Sequence, residues 1–382
     1  MSDSASGTAV LPGPDGGRRG PRRRSKRRAL IAVLVAGLVV IVIGVASTVG
    51  FTRLVHHFTR STADYADPIG AEQEVTITAG ESLRGIGAAL ATAGVVKSEG
   101  AFVDAAGANP KSAQVHPGTF KLAKHMPAKE ALSRLLDPSY QVLSHVVIPE
   151  GRTSAEIIAA LSAATGVSVA QFTTAMENPS SYNLPSWDIN PDGHKSEGFL
   201  FPATYDFQPG AGATTILQSL TKAFGFAAAA TGLNTTAGPQ NLTPFQVLTV
   251  ASLVQAEAKR AEDMPKIAEV IYNRLKAGMK LELDTTVIYA NGGQHALTTT
   301  AAQRALNSPY NTYVAKGLPP GPIDSPGEAA IKAALAPATG SYLYFVAVNP
   351  QTGETLFANT AAEHAANVAQ FQAWMRAHPN YS

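Results

Sequence analysis

Beyond residue 72 the chain reads as short apolar stretches set apart by glycine, proline and small polar residues. Glu74-Val75-Thr76-Ile77-Thr78 alternates as a strand does; Gly80 follows, and residues 82–93 carry Leu83, Ile86 and Leu90 on one helical face. The pattern returns 71 residues later: Val75, Ile77, Gly80, Ser82, Ile86 and Leu90 map onto Val146, Ile148, Gly151, Thr153, Ile157 and Leu161. This predicts a duplicated strand–turn–helix unit. Between the copies, 118–122 reads as a strand and 126–137 as a helix opening at Pro127. Residues 177–192 and 227–241 read as loops.

The strongest helical signal follows. Thr243 and Pro244 form an N-terminal cap, and Val247, Val250, Ala251 and Val254 recur at i, i+3, i+4 and i+7. The next position on that face is Glu257. Two readings stand side by side: a carboxylate at the helix end that reaches water, Lys259 or Arg260, or a desolvated acid that stays protonated near neutrality and donates a proton. Glu262 and Asp263 then open a second helix with Ile267, Val270, Ile271 and Leu275 on its core face and Asn273 and Arg274 as a polar pair. A polar-rich segment with Asp284, Thr286 and Tyr289 comes next. Residues 307–323, with Tyr310, Asn311, Thr312 and Tyr313, are too irregular for an element and too long for a plain connector, which marks a cleft-lining loop. Ser325, Pro326 and Glu328 predict a capping box on a helix over 325–336. Residues 342–348 and 354–358 predict a hairpin, and Thr360 and Glu363 cap a last helix ending near His378. The mix of helices and short strands is α+β.

Composition changes the picture at the N-terminus. Of 382 residues, 45% are hydrophobic and 15% charged, and the net charge of +2 conceals a cluster of eight Lys and Arg between Arg18 and Arg28. Residues 29–51 then run without a charge; as a helix they would span roughly 34 Å, enough for a bilayer core of about 30 Å. The expected organisation is a basic cytoplasmic tail (1–28), a single transmembrane helix (29–51), a juxtamembrane spacer (52–72) and an extracytoplasmic remainder. A nucleic-acid-binding patch does not account for the adjoining apolar run. A cleaved signal peptide usually has a shorter one, although Val45-Ala46-Ser47 resembles a cleavage site. The absence of Cys excludes a lipidated cysteine anchor, disulfides and thiol chemistry.

Several motifs together resemble the YceG-like family of endolytic murein transglycosylases. They are Ala251-Ser252-Leu253-Val254-Gln255-Ala256-Glu257-Ala258, Ile271-Tyr272-Asn273-Arg274-Leu275, Ser196-Glu197-Gly198-Phe199-Leu200-Phe201-Pro202-Ala203-Thr204-Tyr205, Ser308-Pro309-Tyr310-Asn311-Thr312-Tyr313 and Gly317-Leu318-Pro319-Pro320-Gly321-Pro322-Ile323. The resemblance covers roughly residues 72–375. It implies a LysM-like subdomain (73–140) that binds glycan, or a plain spacer in its place, and a mixed α/β catalytic domain (141–382). In the family the central helix usually carries two acids two residues apart, the second catalytic; here Gln255 stands at the first and Glu257 at the second. The implied chemistry is cleavage of the bond between N-acetylmuramic acid and N-acetylglucosamine in nascent peptidoglycan strands, with a 1,6-anhydro end and a limit on strand length. Glu257 acts as acid and then base. Glu197, Asn273, Arg274, Asp284, Thr286, Tyr289, Tyr310, Asn311, Thr312, Tyr313 and Asn359 are the candidate substrate contacts, with Glu197 the nearest rival for a second acid. Ala203 replaces an acid the family often has. Metal and cofactor are not expected, since metal-ligand spacings, G-x-S-x-G and phosphate-loop patterns are missing. Peptidoglycan synthases are the protein partners such a place of action implies. A non-catalytic glycan-binding scaffold and a hydrolase of the same bond remain the alternatives.

Overall fold

The computed structural model describes residues 62–67, 70–187, 196–235, 238–292 and 299–379. The expected transmembrane helix (29–51) lies outside the described residues. Among the described residues no helix is long and apolar enough to cross a membrane.

The duplicated pattern folds into one local geometry twice. In the first copy β1 (Glu72–Ile77) leads through Gly80, at φ +78°, into α1 (Leu83–Thr92), whose N-cap Ser82 accepts from the Gly85 N–H. Then come α2 (Glu99–Gly107), β2 (Gly118–Ala123) and α3 (Ala128–Leu136). In the second copy β3 (Ser144–Val147) leads through Gly151, at φ +73°, into α4 (Ser154–Thr165), capped by a Thr153–Glu156 capping box. The two cap residues have nearly the same backbone, φ −72° and ψ 155° for Ser82 against φ −69° and ψ 155° for Thr153. Glycine supplies the left-handed turn between strand and helix in each, a conformation a side chain resists.

The chain continues through α5 (Val169–Met176), β4 (Thr204–Phe207), α6 (Ala213–Thr231), α7 (Pro244–Glu257), α8 (Met264–Lys276), α9 (Asp284–Ala290), α10 (Ala301–Arg304), α11 (Glu328–Leu335), β5 (Tyr344–Asn349), β6 (Glu354–Ala358) and α12 (Ala361–Ala377). The fold is thus mixed, with twelve α-helices among the described residues and strands paired only two by two: β1 with β2, β3 antiparallel to β4, and β5 antiparallel to β6. Contacts divide the chain into two units. One holds α1, α2 and α3; the other holds the β1–β2 pair and everything from Asp137 onward. In the first, α2 packs on both α1 and α3 around Leu90, Phe102 and Leu132.

In the second unit α7 is the central rod. The sequence predicts one apolar face, but Phe245 and every residue from Val247 to Val254 are buried. Helices α8, α9 and α11 all pack on it. A helix covered on all sides fixes its last residue firmly, and that residue is Glu257.

Three expectations are corrected. The alanine-rich 227–231 is the last turn of α6 rather than loop, as the high helix propensity of alanine favours. The expected capping box at Ser325 does not form: Ser325 N bonds Arg152 O, Gly151 N bonds Ser325 O, and the helix starts at Glu328 with Gly327 as its cap. That Gly327 N–H is instead taken by Gln255 Oε1 at 3.0 Å, so the amide at the family's first acid position holds the start of α11 against α7. The expected surface loop 177–192 buries Tyr182 completely.

The loop around Asp324 is tied down on both sides. Ile323 N donates to Ser252 Oγ at 3.1 Å on α7, and Ser325 pairs with Arg152 just before α4. Gly198, at φ +88°, lets this loop approach: a Cβ there would meet Pro322 Cγ at 2.7 Å.

Candidate functional site

Two carboxyl groups flank the short helix α9. Glu257, at the C-terminal end of α7, accepts from Thr285 Oγ1 at 2.6 Å in the first turn of α9. Glu197 accepts from Tyr289 Oη at 3.1 Å in its last turn. Thr285 and Tyr289 are four residues apart and therefore share a face of α9. The sequence brings together both acids and Tyr289, but not the helix that joins them.

Glu257 as a residue is half-buried, but its carboxyl is enclosed by protein atoms. Desolvation and the Asp284 charge push it up to about 7, against the downward pull of the Thr285 hydrogen bonds and of Lys259. Because Thr285 occupies Oε1, the proton of the neutral acid belongs on Oε2. Near neutrality this carboxyl can donate a proton and, once ionised, take one back.

Asp284 is held by three donors: Thr299 Oγ1 at 2.6 Å, Tyr313 Oη at 2.8 Å and Thr299 N at 3.3 Å. Its charge lies close enough to Glu257 to raise that carboxyl. Replacing it with Asn removes that charge, so Asp284→Asn is expected to lower the pKa of Glu257 and move the alkaline limb of the rate profile to lower pH. A pH–rate profile checks this, and an upward move contradicts the assignment.

Glu197 is 4% exposed. Its Oε1 accepts from Ser154 N at 2.9 Å, at the start of α4, and from Ser154 Oγ at 3.3 Å. Burial raises it to about 7, against the hydrogen bonds from Ser154 and Tyr289 and with help from the Glu156 charge. The carboxyl facing Glu197 is Asp324, buried at 4% exposure, with Oδ1 lacking a hydrogen-bond partner among the described residues. Desolvation, then Glu197 and Glu156, hold it well above the usual carboxylate range. Sequence reading missed Asp324; an acid in a proline-rich loop gives no local sign of burial.

Glu197, Tyr289 and Tyr310 line a cavity of about 680 Å³ together with residues from α4 and α5. The Tyr289 and Tyr310 ring centroids lie 4.9 Å apart at 53°.

Most of the other expected contacts hold backbone. Thr312 Oγ1 accepts from Leu283 N at 2.9 Å and bonds Thr286 Oγ1 at 2.9 Å; Asn311 Nδ2 donates to Arg304 O at 2.9 Å and Leu306 O at 2.7 Å. These bonds seat the 308–314 loop against the entry to α9, where Glu282 takes φ +52° between buried Leu281 and Leu283. Asn273 Nδ2 donates to Tyr342 O at 2.9 Å, and Arg274 reaches Leu343 O at 2.6 Å, Lys280 O at 3.1 Å, Leu281 O at 2.9 Å and Glu282 Oε2 at 3.2 Å. Asn359 is exposed and accepts from Ser341 Oγ at 2.9 Å. Asn273, Arg274 and Asn359 gather around the start of β5; none of these bonds goes to Glu257. Among the described residues, no group of three His, Asp or Glu is placed to hold a metal ion.

The YceG-like family model matches residues 75–370. The chain is 32% identical over 305 residues to the endolytic murein transglycosylase of Bacillus subtilis (strain 168), covering 76% of this chain and 82% of that one. To that of Streptococcus pneumoniae (serotype 2, strain D39) it is 31% identical over 341 residues, 79% of this chain and 60% of the relative. A crystal structure of a YceG-like protein from Listeria monocytogenes matches with TM-score 0.54 and 31% identity, covering 78% of this chain and 99% of that chain.

Proposed function

The chain belongs to the YceG-like family, and on that premise we propose that it is a lytic transglycosylase of peptidoglycan with Glu257 as its acid and base. The enzyme class rests on the family and its curated relatives. The bond cut, the product and the residue roles are our reading of the site. One observation carries that reading: a carboxyl at the end of a helix buried all round from Val247 to Val254, desolvated and raised to about 7, with Thr285 orienting it.

In this reading the Glu257 proton passes from Oε2 to the glycosidic oxygen as the bond from N-acetylmuramic acid C1 to that oxygen breaks. The departing sugar leaves as an alcohol. The Glu257 carboxylate then takes the proton of the 6-hydroxyl while that oxygen bonds C1, closing a 1,6-anhydro ring. The proton count balances on one residue and water is not consumed. A glycosidase ordinarily divides this work between two carboxylates; Glu197 lines the cavity, and its hydrogen bonds go to Ser154 and Tyr289 rather than to Glu257, which suits a single acid–base. Arg274 serves as framework for Lys280 to Glu282 and Thr312 holds Leu283 from the other side, while Asn273 and Asn311 fix the neighbouring segments at Tyr342 and at Arg304 to Leu306.

The membrane arrangement belongs to the same proposal. Residues 29–51 anchor the enzyme with its N-terminus cytoplasmic; 73–140 form a LysM-like subdomain that holds glycan and 141–382 the catalytic domain. Acting on nascent strands near the membrane limits their length, and peptidoglycan synthases are the neighbours expected there. If so, alkaline carbonate should leave the full chain in the membrane fraction and release a chain lacking residues 1–51. Release of both contradicts the anchor.

The activity itself is tested on long uncrosslinked glycan strands incubated with the full chain in detergent. Internal cutting produces mid-length fragments early, ending in 1,6-anhydro-N-acetylmuramic acid by mass spectrometry. Intact strands bound to the protein favour a glycan-binding scaffold, and release only of terminal disaccharides contradicts internal cutting.

A further inference from the structure

We propose that the unit holding α1, α2 and α3 rests on the surface of the membrane that tethers it. The contact is a basic face of Lys97, Lys124 and Lys129 around the docked segment 62–67, and its partner is the anionic phospholipid of that surface. This rests on the membrane arrangement proposed above and adds the face that meets the lipid.

Residues 62–67 close the expected spacer, and several bonds hold them on this unit. Both carboxylate oxygens of Asp64 accept from Ala128 N, at 3.0 and 3.1 Å, where the first turn of α3 leaves N–H groups without helical partners. Ser98 Oγ, at the cap of α2, donates to Ala63 O at 2.8 Å. The Tyr65 ring lies 4.8 Å from that of His125, and Lys97 Nζ stands 5.8 Å from the Tyr65 centroid, within reach of a cation–π contact. Further along, Gly70 N donates to Lys124 O at 2.6 Å and Lys124 N to Ala71 O at 3.0 Å. The 124–126 turn is itself fixed just after α1, by His125 N to Gly94 O at 3.0 Å and Met126 N to Val95 O at 2.7 Å. The end of the spacer is thus built into the unit, and it carries the tether to one place on its surface.

Chain length limits how far that place can be from the bilayer. Between Phe51, the last residue of the expected transmembrane helix, and Thr62 the chain can span at most about 36–40 Å. Charge decides what happens within that reach. Lys97, Lys124 and Lys129 are exposed and have no acid partner among the described residues. The acids beside them are engaged elsewhere: Glu99 with Arg84 at 2.7 Å, Glu130 with Arg134 at 3.0 Å, and Asp64 on the start of α3. Asp67 is left to offset three cations, so the face is net positive where the tether joins it. Three lysines are a weak membrane-binding surface on a free protein. A short flexible tether makes the same contact intramolecular, at an effective concentration of about a millimolar, and a weak face then suffices. Because screening sets in within about 8 Å at physiological salt, the attraction holds the unit in contact with headgroups rather than at a distance.

The chain has no cysteine, so Ala66→Cys, at an exposed position beside Tyr65, takes a single fluorescent donor. The full-length protein is reconstituted in vesicles of phosphatidylcholine, alone or mixed with phosphatidylglycerol, each with a headgroup-labelled acceptor lipid. Energy transfer should be stronger in the anionic vesicles and fall to the neutral level in high salt. Combining Lys97→Gln, Lys124→Gln and Lys129→Gln should lower the ratio of docked to free unit by about 10²-fold and abolish the difference between the two lipids. Equal transfer in both lipids, or a lipid dependence that survives the triple substitution, would overturn the proposal. So would transfer that ignores the lipid and falls when soluble peptidoglycan strands are added, which assigns the face to glycan. The anchor is checked on the same vesicles. Release of the protein from both kinds by alkaline carbonate means that residues 29–51 do not hold it, and the proposal falls with that reading.

Discussion

Glu257→Gln is expected to leave the fold intact and reduce strand cleavage by about 10²–10⁴-fold, the usual contribution of a positioned acid–base. Gln keeps the shape and can still accept from Thr285, so the loss reads on proton transfer. The wild-type rate should decline as pH rises through about 7, where Glu257 ionises. Stability follows from the same shift. A carboxyl whose folded pKa is raised holds its proton more tightly in the folded state, so its stabilising effect is complete below about 4.5 and is lost as pH rises toward 7. Glu257→Gln carries no such titration and should be more stable than wild type at pH 8, by about 1–3 kcal/mol, and close to it at pH 4. Wild-type cleavage by the variant, or a melting difference that does not change with pH, contradicts the assignment.

The second large effect is on stability. Arg274 is buried at 8% exposure and its guanidinium joins α8 to β5 and to the segment leading into α9. It makes bonds to three backbone carbonyls and Glu282, and lies 5.0 Å from the Tyr344 ring centroid. Arg274→Ala strands those carbonyls in a buried setting, and a loss of about 3–5 kcal/mol is expected from chemical denaturation. Arg274→Lys should recover little, since an ammonium cannot reproduce the fork. Sequence reading offered Arg274 as a substrate contact. A variant of wild-type stability with a raised KM would restore that role.

The local elements were the most legible part of this chain. Thr243 and Pro244 mark the start of α7, Thr360 and Glu363 close their capping box on α12, and the hairpin of β5 and β6 lies where alternation puts it. The repeated Val-x-Ile, Gly and Ser/Thr spacing was legible because a strand, a left-handed turn and an N-cap each leave a local mark. Helix α9 left none. Asp284-Thr285-Thr286-Val287 is rich in β-branched residues that disfavour helix, and the turn forms through Leu283, Thr286 and Thr312. Nor could Asp324 be read, because its burial comes from Ser252 and Arg152, far along the chain, which bind the residues on either side of it. Gln255 reads as a missing acid in sequence and as the donor-satisfying cap of α11 in the fold. What periodicity placed on one face was right for Glu257. What it could not place was the second acid pair, or the helix that puts Thr285 against Glu257 and Tyr289 against Glu197.

The measurement that bears most directly on the central claim is the mass of the new chain ends formed in water enriched in oxygen-18. If Glu257 first protonates the leaving oxygen and then deprotonates the 6-hydroxyl, each new end carries no heavy oxygen and weighs one water less than a reducing end. New ends that are reducing and labelled with oxygen-18 would mean that water is the nucleophile, and the single-residue acid–base account of Glu257 would be wrong.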